Sequence, residues 1–260
     1  PAEAAVLCER AGAAGIVFHL RGDRRHIRDG DLPRLKQRVR GRLDFEMAAT
    51  DEMIAICRGL KPDLCTLVPE GREELTTEGG LRMEAVGADL RERALPALHE
   101  AGIPVSLFVD PVLEDVRQCA ELGVEAIELH TGTYANAFAR DVRALWGREA
   151  GGFLAEWEEG GEWEPDAFNE GGRFWKGNAL GVDLRTELDR LAEAAHAAHD
   201  LGLHVHAGHG LNRMNLPLFL SEVPHLRELS IGHALVSDAL RHGLETTVRL
   251  YLALLKAYRG

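Results

Sequence analysis

The sequence of 260 residues predicts an α/β fold, and more specifically a (β/α)₈ barrel of the TIM type. The first observation is a repeat in which an Ala- and Leu-rich helical stretch ends near a glycine and a short apolar strand follows. Such alternation forms βαβ units around a parallel sheet. The second is that no Gly-rich dinucleotide-binding turn follows a predicted strand, which disfavours the alternative of an open doubly wound sheet. The repeat appears as "CERAGAAGIVFHL", "LHEAGIPVSLFVD", "CAELGVEAIELHTG" and "AHDLGLHVHAGHG".

The elements follow from this repeat and from three further apolar segments. Gly12, Gly102, Gly123 and Gly202 are each expected to end a helix, because the residue after a helix often needs φ > 0. The segments "RLDFEMA", "DLCTLVPE" and "RELSIGH" bring the number of predicted strands to seven. The predicted strands lie at 16–21, 43–48, 64–69, 105–110, 126–131, 203–208 and 228–233.

Seven strands are one fewer than a closed barrel needs, and the sequence opens on the helical stretch "PAEAAVLCERAG". The sequence therefore predicts a barrel apparently lacking its first strand. Because an open barrel exposes two strand edges that invite aggregation, we expect the chain to be a piece of a longer protein rather than one that has lost the strand. The expected organisation is a single TIM-barrel domain over residues 1–260.

Residues 138–181 do not fit the repeat. This Gly/Trp-rich insertion of 44 residues holds all four tryptophans and follows the sixth barrel strand, at the face where barrels carry their active sites. Aromatic residues are scarce in disordered segments, so we expect a lid or a subunit contact. A functionally neutral insertion is the alternative.

The composition narrows the class of protein. A net charge of −12 argues against a nucleic-acid partner and against an acidic membrane surface, and no apolar run is long enough to span a bilayer. The four cysteines are scattered without a CxxC pair, as in proteins with reduced thiols. The expected location is cytoplasmic.

Side chains alternate between the two faces of a strand, and here one face is apolar while the other carries ionisable groups. Amphipathic helices such as "RTELDRLAEAAHAAHD" are expected to cover the apolar faces, which places the polar faces in the barrel lumen. Charged groups are costly there unless they are paired or functional, so an active site is expected. The residues concerned are His19, Arg21, Asp44, Glu46, Glu128, His130 and His206.

Seven segments resemble, in order, signature segments of the pyridoxine 5′-phosphate synthase family of deoxyxylulose-dependent vitamin B6 synthesis. The resemblance implies a (β/α)₈ barrel, commonly an octamer, that condenses 1-deoxy-D-xylulose 5-phosphate with 3-amino-2-oxopropyl phosphate. The products would be pyridoxine 5′-phosphate, phosphate and water, formed by acid/base catalysis with no metal and no other cofactor. The segments are "GIVFHLRGDRRHI", "DFEMAATDEM", "LVPEGREELTTEGGL", "VSLFVDP", "IELHTGTYA", "AGHGLN" and "ELSIGHALV".

The resemblance also implies the site residues. His19, Glu46 and His209 would be the acid/base residues, and Glu128 would stabilise charge during ring formation. Imine formation and dehydration near pH 7 suit imidazoles and a carboxyl of raised pKa. The residues expected to hold the deoxyxylulose phosphate are Arg21, His26 and Thr76, and those expected to hold the aminooxopropyl phosphate are Gly210, Gly232 and His233.

The sequence departs from the family at three site positions. Asp44 and His206 stand where the family usually has asparagine, and Arg213 where it usually has tyrosine, which is expected to add charge near the site. The Asn and the Asp-His pair of the family's opening strand are absent from the sequence.

Two other functions stay open. One is a metal-dependent barrel hydrolase or isomerase, because imidazoles and carboxylates suit Zn²⁺, Mn²⁺ or Fe²⁺. The other is a non-catalytic, diverged relative that binds a phosphate ester. The candidate metal ligands are His19, Glu46, Glu128, His130 and His206.

Overall fold

The computed structural model describes residues 1–70, 79–146, 180–256 and 258. Within these residues seven parallel strands form one curled sheet in the order of the sequence, so the predicted α/β fold is confirmed. The strands are β1 (Gly15–His19), β2 (Arg42–Met47), β3 (Leu64–Leu67), β4 (Val105–Val109), β5 (Ala126–His130), β6 (His204–Gly208) and β7 (Leu226–Ser230).

Helices connect consecutive strands, and the four glycines predicted to end helices all have φ between 72° and 112°. A π-helical turn, Leu90–Ala94, joins α4 to α5. The helices are α1 (Ala2–Ala11), α2 (Leu32–Arg38), α3 (Asp51–Leu60), α4 (Met83–Asp89), α5 (Leu95–Glu100), α6 (Leu113–Glu121), α7 (Gly132–Trp146), α8 (Val182–Asp200), α9 (Leu216–Glu222), α10 (His233–His242) and α11 (Leu244–Leu255).

The last strand differs from its prediction at 228–233, since β7 begins at Leu226 and ends at Ser230. Ile231 and Gly232 instead belong to the turn into α10, where Gly232 is the N-cap residue. Ile231 still packs against the apolar core, which explains why its hydrophobicity resembles that of a strand residue.

The sheet is open, whereas the helical layer closes around it. Within the described residues, β1 pairs only with β2, and β7 pairs only with β6. The helices next to these two edges, α1 and α11, pack against each other. A barrel with one strand position unfilled, as the sequence predicts, has this arrangement. Val17 is 39% exposed because it lies on the lumen face of the edge strand β1.

The apolar faces of the strands meet the helices, as the alternation predicts. Phe45, Leu107 and Ile127 are fully buried there, and the ring of Phe18 stacks on that of Phe45 at 5.0 Å. Among the described residues, none of the helices combines the length and apolar character that crossing a bilayer requires.

The predicted insertion is described only at its ends. Helix α7 continues through residues 138–146, where Phe138 and Val142 are buried in the core. Residues 147–179 lie outside the described residues, so the role of the insertion stays a prediction.

Candidate active site

Three carboxyl groups face the lumen from β2 and β5. Asp44 and Glu128 are buried, and the hydroxyl of Thr66 donates to both carboxylate oxygens of Asp44, at 3.0 and 2.9 Å. Burial raises the pKa of Asp44 to about 6. Burial, and next the charge of Asp44, raises the pKa of Glu46 to about 8. At pH 7 Asp44 is therefore largely ionised while Glu46 holds its proton.

Glu46, Glu128 and His209 form the centre of the site, since their carboxylate oxygens and one ring nitrogen lie within 4.8 Å of one another. Ser230 donates to Glu128 Oε2 at 3.3 Å, while the buried Oε1 has no hydrogen-bond partner among the described residues. Burial is the main cause that raises the pKa of Glu128 well above its usual range. A Cβ on Gly208 would overlap with Glu128 Oε1, so this glycine leaves room for the carboxyl.

His209 lies just beyond β6 in a left-handed backbone conformation, with φ 72°. The hydroxyl of Thr131 donates to the carbonyl oxygens of Gly208, at 2.7 Å, and of His209, which holds the backbone in this conformation. The imidazole packs on the ring of Phe108, with centroids 4.4 Å apart. Backbone and ring contacts together direct His209 towards the lumen carboxyls.

At pH 7 Glu46 carries its titrating proton, whereas His209 does not. Burial, and next the neighbouring imidazoles of His130, His233 and His19, lowers the pKa of His209 to about 4. Its ring is therefore neutral at pH 7 and can accept a proton.

The loop that follows His209 is braced by its own side chains. Asn215 accepts from the backbone N–H of Asn212 at 2.8 Å and donates to the carbonyl of Gly210 at 3.0 Å. The hydroxyl of Tyr134 donates to the carbonyl of Asn215 at 2.7 Å. Gly210 has φ 76°, and a Cβ there would lie 2.6 Å from that of Ala135. Sequence reasoning missed both Asn215 and Tyr134. For Asn215 the only signal was its position in a turn before a helix, where asparagine is common.

His19 ends β1 beside Glu46, with 4.0 Å between its Nδ1 and Glu46 Oε2. Its buried Nε2 has no hydrogen-bond partner among the described residues. Burial, followed by the positive charges of Arg21 and His26, lowers the pKa of His19 to about 4. The His26 side chain itself is exposed on the loop after β1.

Arg21 follows β1 and is only 6% exposed. Its Nε lies 3.7 Å from both Asp23 Oδ1 and Glu70 Oε1, and Glu70 also accepts from the backbone N–H of Gly22 at 2.7 Å. Sequence reasoning missed Glu70, which ties the loop after β1 to the loop after β3. Thr76 lies outside the described residues.

Gly232 and His233 lie at the N-terminus of α10, and both are exposed. His233 is close enough to His209 for its charge to lower the pKa of that imidazole. The N-terminus of α10 therefore lies on the same side of the barrel as His209 and Gly210. Free backbone N–H groups at such a terminus favour anions.

His206 lies on the lumen face of β6, two residues before Gly208, and pairs in register with Glu128 on β5. It is buried, and burial, followed by the charge of Arg42, lowers its pKa to about 4. His206 is therefore neutral at pH 7 and adds no charge to the site.

Arg213 is buried, and its Nε donates to Asp238 Oδ2 on α10 at 2.9 Å. The hydroxyl of Tyr251 also donates to this oxygen, at 3.4 Å. The carboxylate of Asp238 therefore offsets the charge of Arg213, whereas Asp44 is largely ionised at pH 7.

We predict that His206→Asn leaves turnover within about threefold of the wild-type rate, because a neutral polar group replaces a neutral imidazole. Steady-state kinetics checks this, and His204→Asn, at the exposed start of β6, is the matched control. A loss of more than about tenfold confined to His206→Asn would show that this imidazole takes part in proton transfer.

The five residues proposed as metal ligands do not converge as one set. His130 Nδ1 lies 2.9 Å from Asp110 Oδ1. Among the described residues, the group whose atoms could share a cation is Glu46, Glu128 and His209. The raised pKa of Glu46, about 8, suits proton transfer at pH 7.

Comparison with known proteins identifies the family of the chain. The family model described as "Pyridoxal phosphate biosynthesis protein PdxJ" matches residues 1–257. A pyridoxine 5′-phosphate synthase of Salinibacter ruber is 42% identical over 250 residues, which cover 96% of this chain and 86% of the relative. Another, from Trichlorobacter lovleyi, is 41% identical over 256 residues, 98% of this chain and 89% of the relative.

Solved structures at low identity share the fold alone. Tryptophan synthase from M. tuberculosis superposes with a TM-score of 0.57 at 11% identity, over 99% of this chain and 86% of the other. Phosphoribosylanthranilate isomerase from Thermotoga maritima gives a TM-score of 0.52 at 10% identity, over 98% and 94%. These likenesses support the barrel type of the fold.

Proposed function

Because the chain belongs to the PdxJ family of pyridoxal phosphate biosynthesis proteins, we propose that it synthesises pyridoxine 5′-phosphate from two phosphorylated substrates. These are 1-deoxy-D-xylulose 5-phosphate and 3-amino-2-oxopropyl phosphate, and inorganic phosphate and water are released. The observation that carries the proposal is the cluster of Glu46, Glu128 and His209 in the lumen.

Glu46 and His209 are proposed as an acid and a base. At pH 7 Glu46 holds a proton, with a pKa of about 8, while His209 is neutral, with a pKa of about 4. Each dehydration on the way to an aromatic ring needs a base that takes a proton from carbon and an acid that protonates the departing hydroxyl. Environments that separate two pKa values in this way are typical of acid/base pairs in enzymes.

His19 and Glu128 are proposed to support this pair. The imidazole of His19, whose Nδ1 lies 4.0 Å from Glu46 Oε2 and which is neutral at pH 7, is proposed to relay a proton to Glu46 between steps, giving one from Nδ1 while Nε2 takes up one from the substrate or solvent. Burial raises the pKa of Glu128, which favours its protonated form, and its buried Oε1 has no hydrogen-bond partner among the described residues. This carboxyl is therefore proposed to hydrogen-bond a charge that develops on the substrate.

Two groups of residues are proposed to hold the two phosphates. Arg21, oriented by Glu70, would bind the deoxyxylulose phosphate together with His26 and with Thr76, which lies beyond the described residues. Barrels commonly bind phosphate at the loops after strands seven and eight. With the first barrel strand unfilled, β6 and β7 correspond to barrel strands seven and eight. Gly210 follows β6, while Gly232 and His233 follow β7, and these three residues are proposed to bind the aminooxopropyl phosphate.

The test is to incubate the protein with both substrates and to quantify pyridoxine 5′-phosphate and inorganic phosphate, with and without a chelator. We expect the two products in equal amounts and a rate that the chelator does not change. Activity that follows the bound-metal content would instead support the metal-dependent alternative. Absence of product, with phosphate-ester binding intact, would support the non-catalytic alternative.

A homo-oligomer, an octamer as the resemblance implies, is also proposed. Val236 and Leu240 on α10 support an interface, since these apolar side chains one turn apart are 59% and 87% exposed. Sedimentation velocity measures the assembly directly. A cytoplasmic location is proposed as well, and it is supported by four free cysteines, of which three are buried.

A further inference from the structure

Asp110 and His130 form a hydrogen-bonded pair at the carboxyl ends of β4 and β5. Asp110 Oδ1 lies 2.9 Å from His130 Nδ1, and His130 is only 5% exposed. This hydrogen bond, together with one from the backbone of Gly80, lowers the pKa of Asp110, which is therefore an ionised acceptor. An acceptor at Oδ1 requires the proton on His130 Nδ1, so the carboxylate fixes both the tautomer and the angle of the ring.

The His130 ring in turn contacts His209. Their centroids lie 5.7 Å apart at an interplanar angle of 78°, an edge-to-face arrangement. Phe108 completes the group, since its ring is 4.4 Å from that of His209 and 5.2 Å from that of His130. Gly132 leaves room for this packing, because a Cβ there would lie 2.5 Å from His130 Nε2.

His209 needs such support because it lies on a loop rather than on a strand. Thr131 holds its backbone, but that contact does not set the torsions of the side chain. Among the described residues, the ring contacts to His209 come from Phe108 and His130.

We propose that Asp110 and His130 are positioning residues that hold the His209 imidazole against Glu46 and Glu128. The proposal rests on the catalytic role proposed above for His209. Asp110 acts on the reaction only through His130, and His130 acts only through its contact with His209. Neither residue exchanges a proton with the substrate.

The test compares Asp110→Asn, His130→Asn and the double variant by steady-state kinetics and thermal unfolding. Asparagine at 110 keeps the size but loses the charge that fixes the tautomer, and asparagine at 130 removes the ring. We expect each single variant to lower kcat by about 10- to 100-fold, with KM for both substrates within about twofold. The double variant should be no slower than His130→Asn, since the two residues act in series.

Asp89→Asn, at the last residue of α4, is the matched control, because it removes an exposed ion pair with Arg93 in the π-helical turn that follows. It should leave kcat and KM unchanged. Histidine ¹⁵N NMR adds a direct readout, with the His209 signals identified by their absence in His209→Ala. These signals should shift in Asp110→Asn and stay in place in Asp89→Asn.

A kcat for Asp110→Asn within about twofold of wild type, with unchanged His209 signals, would overturn the proposal. So would a double variant that is slower by the product of the two single effects. If Asp110→Asn does not fold, His130→Asn still removes the ring that contacts His209, and a kcat within about twofold of wild type there also counts against the proposal. Full activity of His209→Ala would contradict the proposed function instead, and the NMR signals would still report whether Asp110 positions the ring.

Discussion

Replacing His209 by alanine is expected to lower kcat by about a thousandfold or more while the protein stays folded. The imidazole is neutral at pH 7, and one of its ring nitrogens lies within 4.8 Å of a carboxylate oxygen of Glu46, which holds a proton at pH 7, and of one of Glu128. The structural loss is small, because His209 belongs to a loop and its main packing partner is one face of Phe108. Losing that contact costs about 1 kcal/mol of unfolding free energy.

Steady-state kinetics with both substrates, together with a thermal unfolding curve, checks this expectation. His242→Ala is the matched control, because His242 is exposed at the last residue of α10. A His209→Ala protein that turns over within about tenfold of the wild-type rate would contradict the role of base proposed for this residue.

Replacing Glu46 by glutamine is expected to lower kcat by about 100- to 1,000-fold and to stabilise the protein in alkaline buffer. The pKa of Glu46 rises from an ordinary 4.5 to about 8 on folding. The neutral form is favoured in the folded state, so this contribution to stability is complete below pH 4.5 and is lost as the pH rises through 8. Glutamine keeps the shape and stays neutral at every pH, so the loss disappears in the variant.

The measurement is the free energy of unfolding between pH 5 and 9. In the wild-type protein we expect Glu46 to contribute a decrease of roughly 2–4 kcal/mol over this interval, and in Glu46→Gln a shallower slope. Glu193→Gln, on the exposed face of α8, is the control and should keep the wild-type slope. Equal slopes in Glu46→Gln and wild type would show that burial does not raise this pKa.

The lumen histidines oppose this trend on the acid side. Burial lowers the pKa of His19, His206 and His209 from 6.5 to about 4, so their contribution to stability is complete above pH 6.5 and is lost as the pH falls through 4. Glu46→Gln should keep this acid decrease, which makes it an internal control for the alkaline effect.

The alternation of side chains along strands correctly predicted which of them face the lumen. A period of two placed Glu46, Glu128 and His206 on one face, and the observed register places them there. That Glu46 and Glu128 lie together could be predicted because the geometry of parallel strands is regular.

Contacts that depend on loops could not be predicted in this way. Glu70 reaches Arg21 across two loops, and Asn215 braces a turn within its own loop, so neither follows a period. The contact between Asp110 and His130 joins the ends of two strands, and the sequence shows only that each residue follows an apolar run. The position of β7 was misjudged for a related reason, because Ile231 is apolar without belonging to a strand.

Gly208 matters for the interpretation of a mutational survey of this protein. A Cβ at this position would overlap with Glu128 Oε1 and would lie 3.2 Å from the Cβ of Ser230, so the Glu128 carboxyl would have to move. Substitutions there should therefore inactivate the enzyme nearly as severely as those at His209, although Gly208 has no functional group to offer a substrate. A map of intolerant positions would mark both residues alike, and only the kind of defect, a displaced carboxyl or a missing imidazole, would tell them apart.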